Sequence, residues 1–400
     1  MHPNQRRLNV LIYTEYFLPI IGGVQTAVKF LARGLSEWRP KDSEIGLGQV
    51  EVTLVTQSPA DGNNDSTFPY RVVRQPGFFR LVRLLRHTDV VHIAGPCFLP
   101  LILGWLLRKP IVVEHHGYHA VCPNGMLFYE PTQSQCPGHF NAGHYAECVR
   151  CNSASQGRVA SVLLMLLTFP RRWLCERVAT NITISDHVAT RIRLPRSYTV
   201  YYGIDPPKPD VASKSRGYSD ILHIAYVGRL VAEKGLGILL RAAQLLNRDG
   251  FLFKLTLVGD GPERGRLESM VDSFGLRSSV NFTGNLSGQD LDDAVRELSV
   301  VVMPTLMEET AGLGVIEQMM RGGVVVVSDI GGLSEVVGET GWKFPAGDPE
   351  ALYRCLKTIM EDRKYAKHIG WSAQQRALQC FTVEHTVREH LRVYEQIANQ

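Results

Sequence analysis

Strand-length apolar runs alternate with helix-length stretches twice along this chain, and a breaker-rich segment separates the two series. In the first, Val10–Tyr13, Val50–Thr56, Val90–Ile93, Ile111–Glu114, Asn181–Ile184 and Tyr198–Val200 read as strands, and Val24–Glu37, Phe98–Arg108 and Arg158–Arg177 as helices. The second opens at Ile221–Val227 and continues through Lys254–Val258, Val280–Thr283, Val300–Met303 and Val324–Ser328. Helical patterns fall between these strands at Gly235–Asp249, Glu263–Phe274, Gln289–Arg296 and Val315–Arg321. Repeated β-α alternation predicts parallel sheets covered by helices on both faces. Between the series, Tyr202–Pro209 and the polar Ser213–Asp220 suit an interdomain linker. Helical patterns at Pro349–Met360 and Thr382–Ile397 close the chain. Two Rossmann-like, doubly wound α/β domains follow.

With 400 residues the chain can bury more than one core, and 44% hydrophobic with 20% charged residues is ordinary for a globular enzyme. Met1–Asn9 is polar and basic, unlike a secretory leader, and the longest apolar runs, Phe98–Leu107 and Val159–Leu167, are too short to span a bilayer. A cytoplasmic protein is expected. Residues 1–205 hold 21 Lys and Arg against 14 Asp and Glu, whereas residues 206–400 hold 22 against 25. The basic first half predicts an anionic partner such as a membrane surface. Nucleic acid is disfavoured, since no dense basic tract is interleaved with aromatics. Phe78–Arg86 places arginines at every third position among bulky apolar groups, which fits a helix lying on an anionic leaflet or a core helix with a basic outer side.

Eight cysteines are present. Cys97, Cys175, Cys355 and Cys380 are isolated and are expected to be buried thiols. Cys122, Cys136, Cys148 and Cys151 cluster in the insertion 120–152, where a C-x-x-C pair with two further cysteines can complete a structural zinc site, with His139 and His144 as substitute ligands. Reduced, unligated thiols are the alternative.

Three stretches carry the candidate chemistry. The loop Gly228–Gly235 follows the first strand of the second series, and a loop there projects at the carboxyl edge of the sheet, where open α/β folds bind ligands. In it, Arg229 can fork onto phosphate oxygens and Lys234 adds a mobile point charge. The stretch "EETAGLGVIE" follows the strand Val300–Met303, with Glu309 and Glu317 flanking a glycine-rich run. A helix starting there would offer free N–H groups and positive dipole character to an anion. Carboxylates beside an anion site make sense if they accept hydroxyl protons, as from a sugar. Gly22 and Gly23, between a strand and a helix, allow close approach of a backbone to a ligand. His116 ends the fourth strand of the first series, with His115 and His119 close by. In "VGDGP", Gly259 and Gly261 lack the third glycine of a dinucleotide fingerprint, which disfavours an NAD oxidoreductase.

The segments "YVGRLVAEKG", "LVGDGPERGRLE", "VNFTG", "EETAGLGVIEQMMRGG" and "VVVSDIGGLSEVVG", in this order and spacing, resemble the donor domain of the family 4 (group 1) retaining glycosyltransferases. The first half resembles the same family through "GGVQTAVKFLARGLSE", "PIVVEHHGYH", "ITISDHVA" and "VYYGID". The resemblance implies a GT-B fold: an acceptor domain at 1–203, a nucleotide-sugar domain at 204–378 and a crossover helix at 379–400. It implies a hexosyltransferase that needs no metal for catalysis and moves sugar from a nucleoside diphosphate donor to a lipid-linked or saccharide acceptor. Glu309 would lie at the transferred sugar and Glu317 at the ribose hydroxyls, with the amides of Gly312 and Leu313 at the diphosphate. Gly22, Gly23 and Gly228 would approach the donor, Arg229 and Lys234 would neutralise its phosphates, and His116 would sit near the sugar. The family often carries an aromatic residue after the first glutamate, where this chain has Thr310-Ala311. A nucleotide-sugar epimerase of similar architecture and an inactive nucleotide-sugar scaffold are the rival readings.

Overall fold

A computed structural model describes residues 6–20, 22–39, 46–60, 65–207, 221–286, 290, 294 and 300–398. The described chain divides into two compact units. The first comprises Met1–Leu127, Pro137–Ile204 and Phe381–Gln400; the second comprises Phe128–Cys136 and Asp205–Cys380. Most of the linker segment 202–220 and nearly all of the helix expected at 289–296 lie outside the described residues.

The first unit is built on a seven-stranded parallel sheet. Its strands are β1 (Arg6–Thr14), β2 (Leu47–Thr56), β3 (Arg71–Arg74), β4 (Val90–Ala94), β5 (Ile111–His115), β8 (Thr180–Thr183) and β9 (Ser197–Thr199), in the order β3-β2-β1-β4-β5-β8-β9. The short strands β6 (Phe128–Tyr129) and β7 (Ser134–Gln135) form a separate antiparallel pair. The central strands are buried along their length, β4 and β5 at every residue, which is why they read as unbroken apolar runs. Helices α1 (Gly23–Glu37), α2 (Phe78–Arg86), α3 (Phe98–Leu106), α4 (Tyr145–Gln156), α5 (Arg158–Cys175) and α6 (Asp186–Ile192) connect them. The strand expected fourth is fifth, because β3 is a short strand with arginine at both ends and gives little apolar signal.

The second unit holds a six-stranded parallel sheet of β10 (Leu222–Val227), β11 (Phe253–Val258), β12 (Val280–Gly284), β13 (Val300–Met303), β14 (Val324–Ser328) and β15 (Trp342–Phe344), in the order β12-β11-β10-β13-β14-β15. Its helices are α7 (Leu236–Arg248), α8 (Arg264–Ser273), α9 (Leu313–Met320), α10 (Gly331–Val337), α11 (Pro349–Glu361) and α12 (Arg363–Cys380). The last helix, α13 (Val383–Ala398), returns to the first unit. There Val387, Leu391 and Tyr394 share a core with Val10, Ile12, Val28 and Leu31. Its entry is fixed by the backbone bond from Ile204 N to Phe381 O at 2.9 Å.

Strand order reverses once in each sheet, between β1 and β4 in the first and between β10 and β13 in the second. Loops leaving the carboxyl ends of such a strand pair run apart to opposite sides and leave a crevice, the usual ligand position in open parallel sheets. Each unit therefore has one topologically defined place for a site.

Candidate active site

In the second unit the loops after β10 and β13 are tied to each other. Leu306 N donates to Glu233 O at 2.8 Å, and the Thr305 hydroxyl reaches the same carbonyl at 3.1 Å. Lys234 ends a short 3-10 turn in the first loop, and its ammonium is ion-paired with the Glu309 carboxylate of the second. Both side chains are mostly covered, at 20% and 14% exposure, so solvent screens the pair less than a surface one. The Glu309 carbonyl accepts from Gly332 N at 2.6 Å at the start of α10, which pins the carboxylate's backbone. Arg229 shares the first loop and is exposed; its carbonyl accepts a 2.8 Å bond from the Tyr226 hydroxyl.

Helix α9 begins at Leu313 from a left-handed Gly312 (φ +69°), with no side-chain cap and no acidic residue in its first turn. Its leading N–H groups are thus left for a ligand. Glu317, half-buried, follows on the same helix. Gly259 has another use. At φ +133°, a Cβ there would stand 1.9 Å from Gly228 O, so this glycine lets the loop after β11 lie directly on the loop that carries Arg229. The structure thus brings Gly228, Arg229, Lys234, Glu309, Gly312 and Leu313 to the crevice between β10 and β13.

In the first unit, a pocket of about 400 Å³ opens at the β1/β4 reversal. Thr14 and Glu15 after β1, Gly95 and Cys97 after β4, and His116 after β5 line it, with Gln25 of α1. Gly22 and Gly23 start α1 just before this lining. A Cβ at Gly23 would meet nothing within 4 Å; Gly22 has an extended φ of −175°, and a Cβ there would displace only the Gln25 side-chain amide, whose Oε1 lies at 2.5 Å. Of the cysteines expected to be buried, only Cys175 is; Cys97, Cys355 and Cys380 are half-buried. Burial pushes the Cys97 thiol up to about 12.

His116 is held from both sides. Its Nδ1 and the Tyr202 hydroxyl are hydrogen bonded at 2.6 Å with the rings stacked, and its Nε2 lies 3.5 Å from Glu114 Oε2. Glu114 is buried inside β5, 3.0 Å from His92 Nε2 and 3.6 Å from His390 Nε2. Further out, the Tyr394 hydroxyl bonds His92 Nδ1 at 2.8 Å, and His390 Nδ1 bonds Thr386 O at 2.8 Å. Burial works to raise the Glu114 pKa, but the surrounding histidines, His116 first, hold it well below the usual carboxylate range. Burial lowers His116 against the pull of Glu114, and lowers the fully buried His115 to about 4. His115 turns away to Asn181 at 2.9 Å, while His119 joins His116 in the pocket lining. Sequence reasoning selected His116 and missed Glu114, His92, Tyr202 and His390. A lone charge within the apolar strand "IVVEH" was the available signal.

The expected zinc site receives no support. Cys122, Cys148 and Cys151 belong to the first unit and Cys136 to the second. Among the described residues, the grouping of ligand-type atoms close enough to share an ion is His92, Glu114 and His390 instead. At 3.0 Å the first two are already joined by a hydrogen bond.

Residues 222–362 match the family described as glycosyl transferases group 1. An α-D-kanosaminyltransferase of Streptomyces kanamyceticus is 29% identical over 303 residues, 73% of this chain and 71% of that enzyme. The chain spans 55% to 71% of the length of the curated relatives it matches first. Among solved structures, a sucrose-phosphate synthase from Thermosynechococcus elongatus superposes with a TM-score of 0.70 at 20% identity, covering 98% of this chain and 99% of that one. HepE of Anabaena in complex with UDP-glucose does so at 0.69 and 18%, covering 98% and 100%. Residues 222–362 are therefore a group 1 glycosyltransferase domain, and the chain as a whole has the GT-B fold.

Proposed function

We propose that the protein is a family 4 hexosyltransferase that moves sugar from a nucleoside diphosphate donor to an acceptor hydroxyl with retention of configuration, in polysaccharide or glycolipid synthesis. The observation that carries this reading is the Lys234–Glu309 pair set beside the uncapped start of α9, within the group 1 domain. A diphosphate seated there would meet the helix amides of Gly312 and Leu313 and the charges of Arg229 and Lys234. Those charges neutralise the diphosphate as it departs, the main electrostatic demand of the step. Glu309 orients the ammonium and meets the sugar hydroxyls; Glu317 takes the ribose. That HepE was solved with UDP-glucose supports a uridine nucleotide as the first donor to test.

The acceptor attacks from the leaving group's own face, and its proton passes to a departing phosphate oxygen. No metal takes part, and the cysteine cluster has no role in this reading. The pocket bearing His116 receives the acceptor, lipid-linked or saccharide. The enzyme works in the cytoplasm, at the inner face of an anionic membrane. Helix α2 buries Leu81 and Leu85 and exposes Arg80, Arg83 and Arg86, which supports that contact.

A thermal-shift panel of nucleotide sugars, followed by transfer assays on membrane lipid extract, tests the whole reading. Stabilisation by at least one nucleoside diphosphate sugar is expected. A panel in which none stabilises the protein would sink it.

A further inference from the structure

Helix α5 is inside out. Its fully buried residues include the polar Ser161 and Thr168, whose hydroxyls turn back to donate to Gly157 O at 2.7 Å and Leu164 O at 2.9 Å. Leu174 is buried near the end of the helix, but most of its large apolar residues face outward at helical spacing: Val159 is 77% exposed, Leu163 55%, Leu166 51% and Trp173 42%. A soluble helix places these two sets the other way round. Neighbouring α3 is apolar on all sides, and Trp105 and Leu106 stand 47% and 63% exposed. The two helices touch, with the rings of Trp105 and Trp173 edge to face at 5.9 Å, so their exposed residues form one continuous apolar patch. Patches of this kind on soluble proteins mark contact surfaces.

Basic residues dominate the charge around the patch; the carboxylate at its edge, Glu176, is paired with Arg172 at 3.1 Å. Neither Phe98–Pro110 nor Arg158–Cys175 contains an acidic residue. Arg108 and Lys109 follow α3, Arg158 opens α5, and Arg171, Arg172 and Arg177 sit at its other end. The Arg177 guanidinium lies 3.9 Å above the Trp173 ring, pairing an aromatic with a cation as at membrane interfaces. Helix α2, also in contact with α3, extends the surface with Phe79 at 86% exposure and the arginines described above. No described helix is long and apolar enough to cross a membrane.

We propose that the outer face of α3 and α5, extended by α2, is a docking surface for an anionic lipid bilayer. The apolar side chains enter the acyl boundary, and the arginines at the helix ends meet lipid phosphates. A second copy of the chain fits less well, because pairing the face with itself would set an excess of arginines against arginines, with the nearby carboxylate, Glu176, already held by Arg172. The position also serves the acceptor, and here the proposal rests on the glycosyltransferase reading. Phe98 of α3 and Arg171 of α5 line the His116 pocket, so an acceptor anchored in the bilayer would reach that pocket along the docked face.

The test is co-sedimentation of the full chain with vesicles of phosphatidylcholine and phosphatidylglycerol, against phosphatidylcholine alone. Wild type binds the anionic vesicles and is released by high salt. Leu163→Glu with Leu166→Glu changes two exposed residues, so the fold survives, and vesicle binding falls by roughly tenfold or more. Brominated lipids quench Trp105 and Trp173, and Trp105→Phe with Trp173→Phe removes that quenching. Unchanged binding in the double glutamate variant overturns the proposal, as does a wild type that ignores anionic vesicles. A dimer that the same variant dissolves also overturns it and assigns the face to a second copy. Thermal shift with the nucleotide-sugar panel on the same samples separates the two readings. Vesicle binding without any nucleotide response keeps the docking surface and removes the glycosyl transfer; a nucleotide response without vesicle binding does the reverse.

Discussion

The two sheets reverse strand order at equivalent places and put different physics there. At the β10/β13 reversal the functional groups lie within two short loops, on glycine-shaped backbone, and the charged side chains keep some access to water. At the β1/β4 reversal the key histidine is buried, and what holds it comes from positions far apart: the His92–Tyr394 bond joins residues 302 positions apart. The first arrangement suits a ligand that brings its own charge and needs countercharge on arrival. The second fixes one imidazole before any ligand arrives. Countercharge is cheap to encode locally, whereas pre-positioning a buried ring draws on the whole unit.

That contrast can be broken by substitution. The largest effect is expected for Arg229→Ala combined with Lys234→Ala. Turnover should fall by about a thousandfold or more, since each lost charge-stabilising donor typically costs on the order of a hundredfold. Melting should move much less than turnover: Arg229 is exposed, and the loss of Lys234 leaves the mostly covered Glu309 unpaired at a cost of about 1–2 kcal/mol. Steady-state transfer alongside calorimetry checks both halves, and near wild-type turnover would remove the phosphate role.

Glu114→Ala should behave the other way. It strips the shared partner from His92, His116 and His390, and breaking a buried charged cluster costs about 3 kcal/mol of stability. Chemical denaturation of the full chain should show that loss in the first unit's transition, while nucleotide affinity stays within about twofold, since one pKa-sized change of 1.4 kcal/mol would already be tenfold. If nucleotide affinity collapses with an intact fold, the two regions are not separable as described.

The smallest effect is expected for Tyr202→Phe, which deletes one hydrogen bond to His116 Nδ1 and keeps the stacked ring. A loss of about 1 kcal/mol in stability is expected. A larger loss in kcat than in KM would sharpen the case that the ring's position matters to transfer. Equal loss of neither would reduce Tyr202 to packing.

Legibility in the sequence followed the same divide. In the second unit β13 and β14 are nearly pure valine, and the ends of the five expected strands could be placed to within a residue or so, whereas the short β15, with Trp342 and Lys343, gave no such run. Arg229, Lys234 and Glu309 stood out because they punctuate glycine-rich loops directly after such strands. By contrast, α12 escaped because its buried face is made of small residues, Ala366, Gly370, Ala373 and Ala377, which carry little hydrophobic signal. Helix α5 was recognised as a helix, but its outward apolar face was not, since periodicity gives the width of a stripe and not the side it faces. The Glu114 network was invisible for a different reason: partners from α13 and β4 meet only in three dimensions.

The return of α13 to the first unit has a consequence for synthesis. On the ribosome, residues 205–380 emerge before Leu391 and Tyr394, which the core around β1 requires. The second unit can therefore collapse as an almost uninterrupted stretch while the first waits, incomplete, for α13. During that interval Glu114 has no His390 beside it and the face destined for α13 is bare. The nascent chain passes through a half-built intermediate whose exposed core invites chaperones, and α13 acts as the latch that ends the wait.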